Sequence, residues 1–315
     1  MTARDVRLGG RWSCFQRVKN DLLWALASAL LAAARLLPRS ALRRLGRTVG
    51  LFAYQIAFGA RATALANVAR VYPEQDCAER RTLVRRCFVT VGETLGDTVA
   101  SMRRGRPVPM PLSEEARRVL HAALAEGRGV VFASAHLGPW EGVASSLVAA
   151  GIPLVALARE SYDPRFSRLY ERLRANGGVP SIWRGRPGAA AGILRILRSG
   201  RVLGVPMDLR SRTMSCDAPF LGHDAPTAIG PARIALRLRA AVVVGTAAPA
   251  GSHDANPESP YVITATRIAA ADLTCDDSGS RILTGRINHE LSRRILALPH
   301  AWVWMHERWT KQTGV

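Results

Sequence analysis

Residues 130–142 read Val-Val-Phe-Ala-Ser-Ala-His-Leu-Gly-Pro-Trp-Glu-Gly, and this stretch constrains the fold more than any other. The run Val130–Ala135 is β-branched or small except for Phe132 and carries no charge, the pattern of a parallel strand covered on both faces of a sheet. Gly138 and Pro139 then force a turn, and proline suits the first position of a helix, where its missing N–H costs nothing. From Leu112 onward the same rhythm repeats. Strands are predicted at Pro153–Ala158, Val179–Trp183, Val202–Val205, Ala241–Thr246 and Tyr261–Ile268. Helices are predicted at Ser113–Glu126, Glu141–Ala150, Pro164–Asn176, Gly188–Leu197, Gly230–Arg239 and Gly279–Ala297. Strands alternating with helices define an α/β fold. The expectation is a mixed central sheet flanked by helices, with Leu209–Ala218 as an irregular loop.

The N-terminal third has a different character. Arg4, Arg7, Arg11, Arg17 and Lys19 make residues 1–19 a basic arm. An apolar run, Leu22–Ala34, follows, and then a second basic cluster of Arg39, Arg43, Arg44 and Arg47. As a helix the run would be about 20 Å long, short of the roughly 30 Å hydrocarbon core of a bilayer. Positive charge on both flanks selects no orientation across a membrane. A membrane-associated helix lying in the interface or re-entering it fits better than a cleaved signal, with a spanning helix or a buried core helix as alternatives. Residues 41–104 read as helical, broken at Tyr72-Pro73-Glu74, with Asp76 placed to cap the helix beyond. The proline-bearing connector Arg103–Pro111 divides the chain into a helical, membrane-associated part, 1–104, and an α/β core, 105–315.

Net charge +20 over 315 residues points to an anionic partner surface. Only Lys19 and Lys311 are lysine, so the charge is almost all arginine, whose planar fork suits phosphate and carboxylate. A nucleic-acid-binding protein would show the same charge. No helix-turn-helix, zinc-finger or ribonucleoprotein motif accompanies it, and the apolar run argues for lipid. The five cysteines are scattered without a Cys-x-x-Cys pair, which speaks against a disulfide framework or zinc ribbon and for reduced thiols on a cytoplasmic side.

Chemistry is expected where the first strand ends. His136 and Glu141 there form an imidazole–carboxylate pair, the base and orienter half of a triad, which can activate a substrate hydroxyl directly. Taken alone, the pair is equally a strand-end histidine beside a carboxylate stabilising a helix start. Arg159 and Asp208 also follow strands, at the edge where open α/β sheets bind ligands. Arg159 would clamp a phosphate, or else pair with Glu160 or Asp163. Asp208 would orient His136 or a substrate amine or hydroxyl, or else cap the loop after it. Gly230 and Pro231 open a helix whose N–H groups suit an anion or a carbonyl oxygen, or serve helix initiation alone. Trp302, Trp304 and Trp309 interleave with His306, Arg308 and Lys311, a pattern open to both core packing and a membrane interface. No Gly-x-Ser-x-Gly elbow, phosphate-binding glycine loop or metal-ligand spacing occurs.

Several blocks together resemble the bacterial lipid A biosynthesis (late) acyltransferase family, which includes phosphatidylinositol mannoside acyltransferases and is related to lysophospholipid and glycerolipid acyltransferases. His136-Leu-Gly-Pro-Trp-Glu141 resembles its His-x4-Asp/Glu block. Asn67 with Val71-Tyr-Pro-Glu74, then Val205-Pro-Met-Asp-Leu-Arg210, Pro219-Phe-Leu-Gly222 and Ala228-Ile-Gly-Pro-Ala232 resemble others in family order. Trp302-Val-Trp-Met-His-Glu-Arg308 resembles its C-terminal signature. The resemblance implies a glycerolipid-acyltransferase-like core at the cytoplasmic face of the inner membrane. It would move an acyl group from acyl carrier protein or acyl-CoA to a hydroxyl of a lipid A precursor, with a mannosylated inositol lipid or lysophospholipid as runner-up acceptor. It further implies His136 as general base oriented by Glu141, Arg159 on phosphate, and no cofactor beyond the thioester co-substrate. Pro139 stands where many members have Asn, which leaves the acceptor open.

Overall fold

The computed structural model describes residues 12–34, 36–103, 110–211, 214–250 and 259–309. Part of the expected basic arm (Arg4, Arg7 and Arg11) and residues 104–109 of the connector lie outside these. Four helices come first: α1 (Cys14–Ala34), α2 (Arg39–Ile56), α3 (Phe58–Val71) and α4 (Cys77–Arg103). The break after α3 falls at the predicted Tyr72–Glu74. Asp76 caps α4 as expected: its carboxylate accepts from the N–H groups of Ala78 and Glu79, and Glu79 accepts from the Asp76 N–H in return.

The α2–α4 contact has an unusual basis. Gly46 and Gly50 of α2 lie against Gly92 and Gly96 of α4, so backbone meets backbone. A Cβ on Gly46 would stand 2.1 Å from the carbonyl oxygen of Gly92, and one on Gly92 equally close to that of Gly46. Only glycine allows that approach.

The remainder alternates as predicted: α5 (Glu114–Ala125), β1 (Val130–Ser134), α6 (Trp140–Ala149), β2 (Leu154–Ala158), α7 (Pro164–Asn176), β3 (Ser181–Trp183), α8 (Ala189–Arg198) and β4 (Val202–Pro206). Then follow β5 (Ser215–Phe220), β6 (His223–Ala228), α9 (Gly230–Leu238), β7 (Ala241–Pro249), β8 (Tyr261–Ile268) and α10 (Asp277–Ala297). The main sheet runs β3-β2-β4-β1-β7-β8, parallel except for β8, which pairs antiparallel with β7. The sheet is mixed, as expected.

Strand pleating divides the core in two. Val130 and Phe132 of β1 pack with α5 and α6 on one face, while Val131 and Ala133 pack with α9, α10 and the C-terminal tryptophans on the other. Both faces are covered, which is why the strand shows no polar alternation.

One expectation needs correction. The segment Leu209–Ala218 is not simply a loop: from Ser215 it enters a hairpin, β5–β6, closed by Leu221 and Gly222 at φ 50° and 82°. Alternate residues Cys216, Ala218 and Phe220 are buried beneath it. The period-two signal was masked by Asp217, Pro219 and the second proline-bearing strand. Of the alternatives for the N-terminal apolar run, a single spanning helix is not found: among the described residues no single helix is long and apolar enough to cross a membrane. The run Leu22–Ala34 lies within α1, which also buries Asn20.

Candidate active site

The register of the two central strands builds the site. β1 and β4 pair with Val130 opposite Val202 and Ser134 opposite Pro206. Carried two residues further, the same offset sets His136 opposite Asp208. The contact is close: the Asp208 carboxylate accepts from the His136 backbone N–H at 2.9 Å and meets Nδ1 of its ring at 2.9 Å. A third donor, Trp302 Nε1, reaches the same carboxylate at 2.8 Å. Trp302 is delivered by the C-terminal segment, which bridges Leu137 and whose Ala301 carbonyl accepts from the N–H of Gly138. The tryptophans of the tail are buried, so the core-packing alternative is the one realised.

The electrostatics follow from this enclosure. Asp208 has no solvent exposure. Burial alone would raise its pKa, but the His136 charge and the three hydrogen bonds outweigh burial and hold the carboxyl below its ordinary value. An ionised carboxylate only accepts, so Nδ1 carries the proton and Nε2 is the nitrogen able to take one. His136 shows the mirror effect. Burial pulls its pKa down, yet the attraction and hydrogen bond of Asp208, with a contribution from Glu141, leave it raised. Its side chain keeps 25% exposure and its ring meets that of Trp140 edge-on at 5.4 Å.

Glu141 does not occupy the place expected of it. It sits in the first turn of α6, but Asp208, not Glu141, holds Nδ1 of His136, because the matched strand register brings Asp208 there first. Glu141 is instead held bidentately by Arg174 of α7, at 2.9 and 3.2 Å. Arg174 in turn lies over the Tyr170 ring. Sequence reasoning missed Arg174, whose place in the last turn of α7 reads as ordinary helix-end charge.

Two cavities share the Glu141–Arg174 pair. One, on the α6 face of the sheet, runs from His136 and Trp140 into an apolar interior of Phe132, Val143, Leu154, Ala156 and Val205. The other, the more polar of the two, lies on the far side of the pair, beneath the start of α2. Arg159, at the end of β2, is exposed, and Gly230 opens α9; neither lines these two cavities. Among the described residues no three His, Cys, Asp or Glu side chains gather as a metal-ligand set.

The arrangement is therefore a buried carboxylate, an imidazole with one nitrogen fixed, and an apolar cavity adjoining it. Compared with known families, residues 15–311 match the bacterial lipid A biosynthesis acyltransferases. The chain belongs to that family. No curated protein matches it. The family makes the protein an acyltransferase, with acyl transfer of the lipid A biosynthesis type as its chemistry. In this acyltransferase the match runs from the start of α1 through the tail that carries Trp302, so the helical layer and the sheet belong to one family unit.

Proposed function

We propose that the protein is a membrane-associated O-acyltransferase that moves a fatty acyl group from an acyl carrier protein or acyl-CoA thioester to a hydroxyl of a membrane glycolipid, a lipid A precursor. The observation that carries this reading is the contact of Asp208 with Nδ1 of His136: the carboxylate accepts a hydrogen bond from Nδ1–H, so Nε2 is the basic nitrogen. In this mechanism Nε2 removes the acceptor hydroxyl proton as its oxygen attacks the thioester carbonyl. The tetrahedral intermediate collapses with cleavage of the C–S bond. The thiolate then takes the proton back from Nε2, yielding an ester and a free thiol. Asp208 stabilises the transient imidazolium throughout. The apolar cavity beside His136 suits the acyl chain, since burial of each CH₂ contributes about 0.8 kcal/mol.

Two exposed apolar stripes support membrane association. Phe15, Val18, Leu22 and Leu26 recur at helical spacing on α1, and Leu45, Val49, Phe52 and Ile56 do so on α2. Such faces, flanked by arginine, suit an anionic lipid surface on which the helices lie rather than cross. In this reading the enzyme works on the cytoplasmic face of the inner membrane, where such thioester donors are found, and the basic surface also suits an acidic carrier protein.

In a purified assay with acyl thioester and lipid acceptor, His136→Ala should lose activity by about 10²–10⁴-fold while remaining folded. Near-wild-type turnover in that variant would overturn the assignment. Flotation with anionic liposomes should weaken when Phe52 and Ile56 become Ser, and weaken further at high salt. Full flotation of that variant would remove α2 from the membrane surface.

A further inference from the structure

The chain turns sharply between α2 and α3. The two helices bend through 89° across a single residue, Ala57. Residues 48–60, which form this corner, carry no charge, in a chain of net charge +20. At its tip Phe52, Ile56 and Phe58 are 63%, 55% and 68% exposed. We propose that the corner inserts as a wedge into one leaflet of an anionic phospholipid bilayer, with Phe58 at its deepest point. The inference rests on the membrane-association reading and assigns that contact its residues and its depth.

Three features carry it. First, a helix that faces water carries charged or polar residues on its outer side. The exposed positions of α3 from its start are instead Phe58, Gly59, Ala62 and Ala66, so its outer side matches hydrocarbon. Second, the corner satisfies backbone groups that lipid could not. The last carbonyls of a helix lack partners within it, and hydrocarbon holds no water to supply them. Here the Ala57 N–H donates to the Ala53 carbonyl at 2.9 Å, and Arg61 Nη1 donates to that of Tyr54 at 3.0 Å. The Arg61 guanidinium also lies 5.3 Å from the Tyr54 ring centre and 5.2 Å from that of Phe58. Aromatic surface thus stands in for part of its hydration.

Third, the charges beside the corner fix how deep it goes. Arg44 and Arg47 are exposed on α2, and both suit lipid phosphates. From Arg47 to Ile56 the helix rises about 14 Å, close to half of the roughly 30 Å hydrocarbon core. With the two arginines at the phosphates, the tip stops within one leaflet. The wedge is also rigid. Asn67, on the inner side of α3, donates to the Trp304 and His306 carbonyls, both at 2.8 Å, which ties the corner to the buried tail. Insertion therefore carries little cost in ordering the chain.

Depth can be read directly. Cys14, Cys77 and Cys275 are the exposed thiols, so replacing them with Ser leaves a background in which Phe58→Cys or Leu45→Cys takes an environment-sensitive fluorophore. Vesicles of phosphatidylglycerol and phosphatidylethanolamine would carry a nitroxide either on the headgroup or near the middle of the acyl chain. The label at position 58 should shift to the blue and be quenched most by the acyl-chain nitroxide. The label at position 45 should be quenched most by the headgroup nitroxide. Apparent affinity for the unlabelled vesicles should fall at least about tenfold in Phe58→Asp and stay within about twofold in Leu45→Ser. Both residues are exposed, and melting curves of the variants exclude misfolding as the cause. Headgroup quenching at both positions, or wild-type affinity in Phe58→Asp, would lay the corner on the surface and overturn the proposal while leaving membrane association intact. An unquenched label at position 58, with self-association lost in Phe58→Asp, would give the corner to a second copy of the chain and overturn it equally. No binding of wild type to the vesicles would defeat the wedge and the membrane reading together.

Discussion

Two carboxylates stand near His136, and their surroundings differ. Asp208 is sealed from solvent and saturated by an imidazole, an indole and a backbone N–H. Glu141 lies at the border of two cavities, 16% exposed, and is held by an arginine. Proton transfer favours the first environment, because a low-dielectric enclosure strengthens the attraction to the imidazolium and costs no reorganisation. Recognition favours the second, because a partly buried pair that lines a cavity can exchange partners when a ligand enters. Sequence distance points the wrong way: the orienting carboxylate is the one 72 positions from His136, not the one five positions away.

The largest expected effect tests this contrast directly. Asp208→Asn keeps the shape of the site but loses the charge and favours the wrong tautomer, so kcat should fall on the order of 10³-fold with little change in KM. Glu141→Gln should cost about tenfold, chiefly in KM. Comparable kcat losses for both, measured on folded protein, would erase the distinction. Next in size is a comparison of arginines. Arg174→Ala strands Glu141 and should cost one to two decades in kcat/KM, the worth of a charge-assisted pair of about 1.5–3 kcal/mol. Arg159→Ala, outside both cavities, should stay within about threefold of wild type on the same scale. A larger loss at Arg159 would restore it as the phosphate clamp that its position after β2 suggests.

Trp302→Phe removes one of the three donors to Asp208 and should lower kcat about fivefold, near the lower end expected for a hydrogen bond to a charged group. The smallest effect is in pH dependence. His136 must be neutral to act as a base, and its pKa is raised, so kcat/KM should fall as pH drops through a value above the ordinary histidine range. Removing the Asp208 charge leaves burial dominant, and the acid limb should move to lower pH. Glu141→Gln should move it in the same direction but less, since Glu141 contributes after Asp208. The pair's stabilisation runs with the opposite sense at its two members. For His136 it is complete below the unfolded pKa and lost as pH rises through the folded one. For Asp208 it is lost as pH falls through its lowered folded pKa. A limb that moves more for Glu141→Gln than for Asp208→Asn would reverse their roles.

Much of this was legible before the structure. Helix α7 and strand β8 have the predicted bounds, and most other elements of the core differ by one or two residues, because apolar runs bounded by Gly, Pro and caps are local signals. His136 and Asp208 were both legible as strand-end residues. Their pairing depends on β1 and β4 being neighbours, which follows from a crossover that skips a strand position and leaves no local trace. Arg174 is harder still. Its partner is 33 residues away on another helix, and nothing in the sequence around it sets it apart from the other arginines of α7. The β5–β6 hairpin was missed because prolines and an aspartate interrupt its alternation, and its stability comes partly from afar. Arg308, fully buried, lies 4.3 Å from the Phe220 ring centre and donates to Pro226 and Thr227, fastening the tail to the hairpin.

The glycine contact between α2 and α4 also fixes how force travels through the helical layer. Side chains between helices act as a compliant layer that absorbs small displacements by changing rotamer. Here Gly46, Gly50, Gly92 and Gly96 remove that layer where they meet, so backbone bears directly on backbone along the middle of the seam. The two helices must therefore tilt or slide as one beam. Ile56 and Arg39 sit at opposite ends of α2, about 25 Å apart at the helical rise. A load on the apolar end thus reaches the arginine end undamped, and the seam makes the mouth of the polar cavity mechanically continuous with whatever surface bears on Phe52 and Ile56.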